Sequence, residues 1–188
     1  MMPKRITGLL FALLMLPAAQ AWADDYTDTI QIFSDAIESK ELMNSAYGYA
    51  VFPTIGKGGV GVGGAYGKGR VYEKGKYIGD TSMTQVTVGL QLGGQAYSQI
   101  VFFEDERALK EFTSGTFEFG AQASAVAITA GAQAQASTTG SSAGASGVKR
   151  DATTVGNNNK GMAIFTVAKG GLMYEASVGG QKFSYTAL

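Results

Sequence analysis

Histidine and cysteine are both missing from the 188 residues. Their absence removes the commonest general base, the strongest nucleophile and the most frequent soft metal ligands together. It also excludes a disulfide framework and a lipid-modified cysteine, so that in an oxidising compartment stability rests on packing alone. Proline is scarce, at three residues, and the 27 glycines follow no three-residue period, which excludes a collagen-like chain. Carboxylates gather at expected helix starts, where capping and the helix dipole account for them. The phosphate-loop pattern G-x-x-x-x-G-K-[ST] does not occur. Formal G-x-G-x-x-G matches at Gly56-Gly58-Gly61 and Gly59-Gly61-Gly64 lack the following helix that would receive a pyrophosphate. A serine–lysine pair stays open from residue types alone, but no local motif marks one. The expectation is a non-enzymatic protein with no catalytic residue, no metal and no cofactor.

What is present begins with a layout for export. Lys4 and Arg5 precede an apolar run from Ile6 to Leu16, and Ala21-Trp22-Ala23 leads into Asp24-Asp25. Basic, apolar, then A-x-A is the order of a secretory signal peptide, and the run is shorter than the about 20 residues of a membrane-spanning helix. Residues 1–23 are therefore expected to be a signal peptide and 24–188 one domain, long enough to bury a core. The expected location is exported and periplasmic, peripheral to the inner or outer membrane. Of the 15 Lys+Arg, Lys4 and Arg5 lie in the leader, which leaves 13 against 15 acidic residues, a net charge near −2. The distribution is uneven: acids crowd residues 24–41, whereas Lys57, Lys68, Arg70, Lys74 and Lys76 stand against Glu73 alone over 57–76. Such asymmetry speaks of partners rather than of fold.

Tyr26, Ile30, Phe33 and Ile37 recur at helical spacing, which predicts an amphipathic helix over 25–44 capped by Asp24 or Asp25, with Ile30, Phe33 and Ile37 in the core. Tyr47 to Ile55 reads as a strand closed by Pro53 and the glycines that follow. Eight of the fourteen residues from Gly56 to Gly69 are glycine. Gly59, Gly61 and Gly63 alternate with Val60 and Val62, which predicts a strand with one bare face. Arg70 to Ile78 reads as a hairpin turning at Glu73-Lys74-Gly75-Lys76, Met83 to Gly93 and Gln95 to Phe103 as strands, and Asp105 to Thr113 as a short helix ended by Gly115. Residues 119–148 carry no charge. Their first part, to about Ala132, alternates like a strand of small residues, and 137–147 has loop composition. Gly48 to Val60 echoes Gly161 to Leu172, suggesting two equivalent strand-turn-strand units. The expected fold is α+β: a curled, antiparallel, glycine-rich sheet, or a barrel-like one, with an N-terminal amphipathic helix and a short central helix.

Lysine repeatedly sits on glycine turns: Lys57-Gly58-Gly59, Lys68-Gly69-Arg70, Lys74-Gly75-Lys76 and Lys169-Gly170-Gly171. Glycine exposes backbone N–H groups that can form a concave nest for anions, and lysine adds charge. Ordinary solvated loops, with lysine guarding strand edges, explain the same residues. The candidate lipid-binding set is Lys57, Lys68, Arg70, Lys74, Lys76 and Lys169, with Gly58, Gly59, Gly170 and Gly171 as nest glycines. Nucleic acid is not an expected partner, given the slightly negative charge and export.

Tyr47-Gly48-Tyr-Ala-Val-Phe52 with Lys57-Gly58-Gly59, Gly89-Leu-Gln-Leu-Gly-Gly-Gln95, the phenylalanine-capped short helix, and Lys160 to Leu172 together resemble the SYLF family, also known as the yeast-type actin-binding domain. The resemblance covers nearly all of the chain after the leader. It implies a module that binds acidic phospholipids; some eukaryotic members also bind actin filaments, a partner not expected for an exported protein. In animal relatives an N-terminal amphipathic helix takes part in membrane binding. Here that helix is strongly acidic, and an acidic face is repelled by anionic lipid. The expected function is thus binding of anionic phospholipid head groups through the basic glycine turns, with a structural outer-membrane or surface β-protein as the rival.

Overall fold

The computed structural model describes residues 24–89, 94–121, 123–128, 160–169 and 178–188. The expected signal peptide, the 137–147 loop and the nest glycines Gly170 and Gly171 lie outside them. Helices α1 (Asp25–Asp35) and α2 (Ile37–Ser45) precede β1 (Gly48–Glu73), β2 (Lys76–Gly89) and β3 (Gly94–Phe103). Then follow α3 (Glu106–Phe112), β4 (Thr116–Glu118), β5 (Val126–Ile128), β6 (Met162–Lys169) and β7 (Lys182–Ala187).

The strands form one sheet in the order β4-β7-β2-β1-β3-β6-β5. Strand β1 doubles back on itself. Its first limb, 48–58, pairs with β3, and its second, 61–73, pairs with β2. The limbs lie against each other: Lys74 N–H donates to the Tyr47 carbonyl, and a Cβ on Gly69 or Gly67 would fall 2.8 Å from the Val51 oxygen or 3.0 Å from that of Thr54. The reversal falls at Gly59–Gly63, where Gly59 and Gly61 have φ of +149° and +74°. Glycine permits such angles without the steric cost other residues meet. Sequence alternation had predicted a single flat strand with a bare face here; the positive φ angles turn it into a hairpin tip. The opposite turn, Lys74 (φ 48°) and Gly75 (φ 80°), is the expected two-residue hairpin loop.

Three expectations are corrected. The sheet is mixed, because β5 runs parallel to β6. Its end strands β4 and β5 are not neighbours among the described residues, so it is an open sheet and not a closed barrel. The N-terminal helix is two helices, broken at Ala36, whose extended backbone (ψ 129°) ends α1. The break turns Ile37 outward to 81% exposure, while Phe33 and Ala36 are fully buried.

Each face of the sheet packs a core. The α1–α2 pair covers the face carrying Val51, Ile100, Phe102, Phe165 and Val167. Helix α3 and the chain around Phe117 and Phe119 cover the other, with Phe52, Ile55, Met83, Phe103, Phe112 and Phe183. A register shift between Phe52 and Ile55 lets both enter that second core, and the Pro53 carbonyl it frees accepts from Ser98 Oγ at 2.7 Å. Fully burying such side chains contributes roughly 1.5–3 kcal/mol each. The repeated segments flank β3 on its two edges, Gly48 and Met162 both opposite Phe103. Their equivalent phenylalanines face opposite sides: Phe52 joins one core and Phe165 the other.

Candidate functional site

The registers place the basic residues on levels along the strands. Tyr66 lies opposite Thr84, and Thr84 opposite Lys182. Across the limb junction, Gly67 contacts Ile55, so Gly56 stands level with Tyr66. Gly56 is opposite Ala96, and Ala96 opposite Lys169. Lys182, Tyr66 and Lys169 therefore form one row across the sheet. Lys57 sits one residue nearer the tip and Lys68 two residues further back. Lys169, Lys182, Lys68 and Tyr66 share the face on which α1 and α2 pack, whereas Lys57 follows Ile55 onto the opposite one.

Lys74 and Lys76 do not join this group. They occupy the turn at the other end of the β1–β2 hairpin, about ten residues or roughly 33 Å from Lys57. Lys74 lies 4.7 Å over the Tyr47 ring, and the Tyr47 hydroxyl donates to Glu73 at 2.7 Å. That hydrogen bond, ahead of burial and the surrounding negative charge, pushes the Tyr47 phenol up to about 12. Arg70 is also occupied: its guanidinium pairs with Asp24, the α1 cap, and stacks 4.0 Å over Tyr26 and 5.3 Å over Tyr77. It ties the start of α1 to the sheet.

Of the tip-end cations, Lys57 and Lys68 make no ion pair among the described residues. Lys169 Nζ donates to Thr54 Oγ1 at 2.7 Å, and Lys182 stands 3.6 Å from Glu118. Lys68 lines a groove of about 290 Å³ with Tyr26, Asp80, Ser82, Ser184 and Thr186. Ser82 Oγ and Ser184 Oγ are 2.7 Å apart in it. Of the nest glycines, Gly58 is committed to the ladder opposite Gly94, and Gly59 opens the tip turn.

Beyond the lysine row the sheet ends in exposed apolar side chains that residue-by-residue reading missed. Val60, Val62 and Val86 are 78%, 65% and 76% exposed, and Tyr66 is 52% exposed. Val62, Tyr66 and Val86 share the lysine-bearing face, since Gly64 is opposite Val86 and Tyr66 opposite Thr84. The signal was present in the sequence: no carboxylate occurs from Gly48 to Tyr72 or from Thr81 to Phe103. Just behind this end, inside the second core, Gln99 and Gln181 exchange amide hydrogen bonds of 2.9 and 3.1 Å, and Gln181 donates to Tyr97 Oη at 3.3 Å. Burial is the main cause that raises the Tyr97 phenol far above its ordinary value, so the phenol stays protonated. Among the described residues no group of His, Cys, Asp or Glu is arranged to hold a metal ion, and no helix is long and apolar enough to cross a membrane.

The family model described as Ysc84, Las17-binding protein actin regulator, matches residues 84–186. The chain belongs to this family, which carries the SYLF domain. A curated relative, Beta cell expansion factor A of Aeromonas veronii, is 29% identical over 168 residues, covering 84% of this chain and 52% of that protein. The chain thus spans about half the length of that relative.

Proposed function

We propose that the protein is a non-enzymatic binder of anionic phospholipid surfaces, acting in the periplasm at an envelope membrane. The observation that carries this reading is the gathering of Lys57, Lys68, Lys169 and Lys182 at one end of a sheet whose two central hairpin segments hold no carboxylate there. Family membership supports it in the coarse sense of a lipid-binding or actin-regulating domain; the expected export leaves lipid as the partner and actin outside its reach. A lysine near an anionic bilayer contributes about 1 kcal/mol, so three together give a usable surface affinity. Lys68 beside the hydroxyls of Ser82, Ser184 and Thr186 offers a charge and donors for a phosphate, against the Asp80 carboxylate that lines the same groove. Lys74, Lys76 and Arg70 are set aside as primary contacts, because the first two stand far from this end and the third holds α1. The rival is a structural outer-membrane or cell-surface β-protein without a specific lipid ligand; the open sheet among the described residues speaks only against its barrel form.

The test is co-sedimentation of the purified protein with phosphatidylglycerol and with phosphatidylcholine vesicles at low and high salt. Binding to the anionic vesicles alone, weakening with salt, is expected. The triple variant Lys57→Gln/Lys68→Gln/Lys169→Gln, checked for folding by circular dichroism, should lose roughly 100-fold in affinity at about 1 kcal/mol per lysine. Equal binding to both lipids, or none to either, would sink the proposal.

A further inference from the structure

We infer that the protein docks end-on: the hairpin tip at Gly59–Gly63, with Val60, Val62 and Val86, enters the interfacial layer of an anionic bilayer while the lysine row stays at the headgroup phosphates. This rests on the lipid-surface reading above and adds an orientation and an apolar contact to it.

The tip end of the sheet is ordered by level. Val62 lies four residues, roughly 13 Å, beyond Tyr66 along the strand. Three exposed valines thus project past a level that Tyr66, Lys169 and Lys182 share across the sheet, with Lys57 and Lys68 close to it. An apolar tip, then a level that holds an aromatic ring and cations together, follows the order of environments met on leaving a bilayer for water. Among the described residues packing does not explain the valines, since both cores close further down the sheet. Charge complementarity names the occupant. Glu118, already facing Lys182, is the one strand carboxylate at this level among the described residues, whereas Asp80 and Glu73 lie toward the opposite end. Depth is limited by the turn itself. A hairpin tip leaves backbone groups unpaired, which hydrocarbon does not tolerate, so the tip stops in the interfacial region. Glycine at 59, 61, 63 and 64 keeps that tip narrow.

The chain has no cysteine, so a single one can be labelled selectively. Val60→Cys and, separately, Lys76→Cys would each carry a nitrobenzoxadiazole probe; Val86→Cys serves as a second tip site should the turn not tolerate the first. On phosphatidylglycerol vesicles the tip probes should brighten and shift to the blue, and lipids brominated near the top of the acyl chains should quench them. The Lys76 probe should not respond. In parallel, Val62→Ser/Val86→Ser should bind roughly tenfold or more weakly, because apolar surface no longer leaves water. Vesicle binding with silent tip probes, or with the Lys76 probe quenched in their place, would overturn end-on docking and leave the lipid function standing. Absence of binding to any vesicle would bring down both.

Discussion

At the Phe103 end of the sheet, strand residues on both faces meet helices: Phe102 under α1 and α2, Phe103 under α3. At the Gly59–Gly63 end the sheet carries valines to solvent and two lysines, Lys57 and Lys68, that make no ion pair among the described residues. The base holds the carboxylates of Glu73, Glu104, Asp105 and Glu106, and the tip hairpin holds none. A stable domain needs only the first arrangement. The second leaves apolar area in water and collects like charges at one end, and neither contributes to folding. On the proposed reading, stability and surface binding are separated along one set of strands, so a variant that damages one end should leave the role of the other readable.

The largest effect is expected at the base. Phe112 packs against Phe103, Phe117 and Phe183 at ring separations of 5.0–5.6 Å. Phe112→Ala should cost about 3–5 kcal/mol in urea denaturation. A loss under about 1 kcal/mol would mean the α3 side is not the main core. Next comes the amide pair behind the tip. Gln99→Ala leaves the fully buried Gln181 amide without its partner, at about 1–3 kcal/mol, and should loosen the join between β3 and the chain entering β7. A neutral outcome would show that water replaces the lost amide there.

Arg70→Ala should be milder, about 1 kcal/mol or less in global stability, because the Asp24 pair and the Tyr26 stacking are partly solvent-exposed. Its signature is local: amide exchange should accelerate across α1 and not in β6. Vesicle binding by that variant should hold, since Arg70 is tied to the helix rather than aimed at lipid. Loss of binding without faster exchange in α1 would return Arg70 to the lipid contacts.

These contrasts also show what the sequence could carry. The short helix expected over Asp105 to Thr113 and ended by Gly115 was legible, because a short helix announces both ends. The Lys74-Gly75 turn was legible for the same local reason. The doubling of β1 was not. Alternating Gly59, Val60, Gly61 and Val62 satisfy a flat strand as well as a reversal, and only backbone angles distinguish them. That ambiguity hid how far apart the candidate residues lie. Lys57 and Lys76 are close in sequence and both basic, yet antiparallel limbs send them to opposite ends, while Lys169 and Lys182 arrive at the tip from the far end of the chain. The break at Ala36 was hidden for a different reason: Ile37 continues the apolar spacing of Phe33 and yet lies past the point where α1 ends. Family resemblance supplied the class of partner that is proposed and could not supply this geometry.

The smallest effect is expected from Lys74→Ala/Lys76→Ala, and it is the sharpest test of the comparison. The two charges lie near the acidic base, with Lys74 over Tyr47 and Tyr47 bonded to Glu73. In a net-charge account of vesicle binding, removing any two lysines is equivalent, and this variant should weaken binding as much as Lys57→Ala/Lys169→Ala. In the end-on account the base turn stands roughly 33 Å from Lys57, several Debye lengths from the bilayer at physiological salt, so its charges are screened. The expected result is less than about a twofold change for the base pair against roughly a 30-fold loss for the tip pair, at about 1 kcal/mol per lysine. Equal losses would erase the distinction between the two ends. A larger loss at the base would turn the molecule over on the membrane.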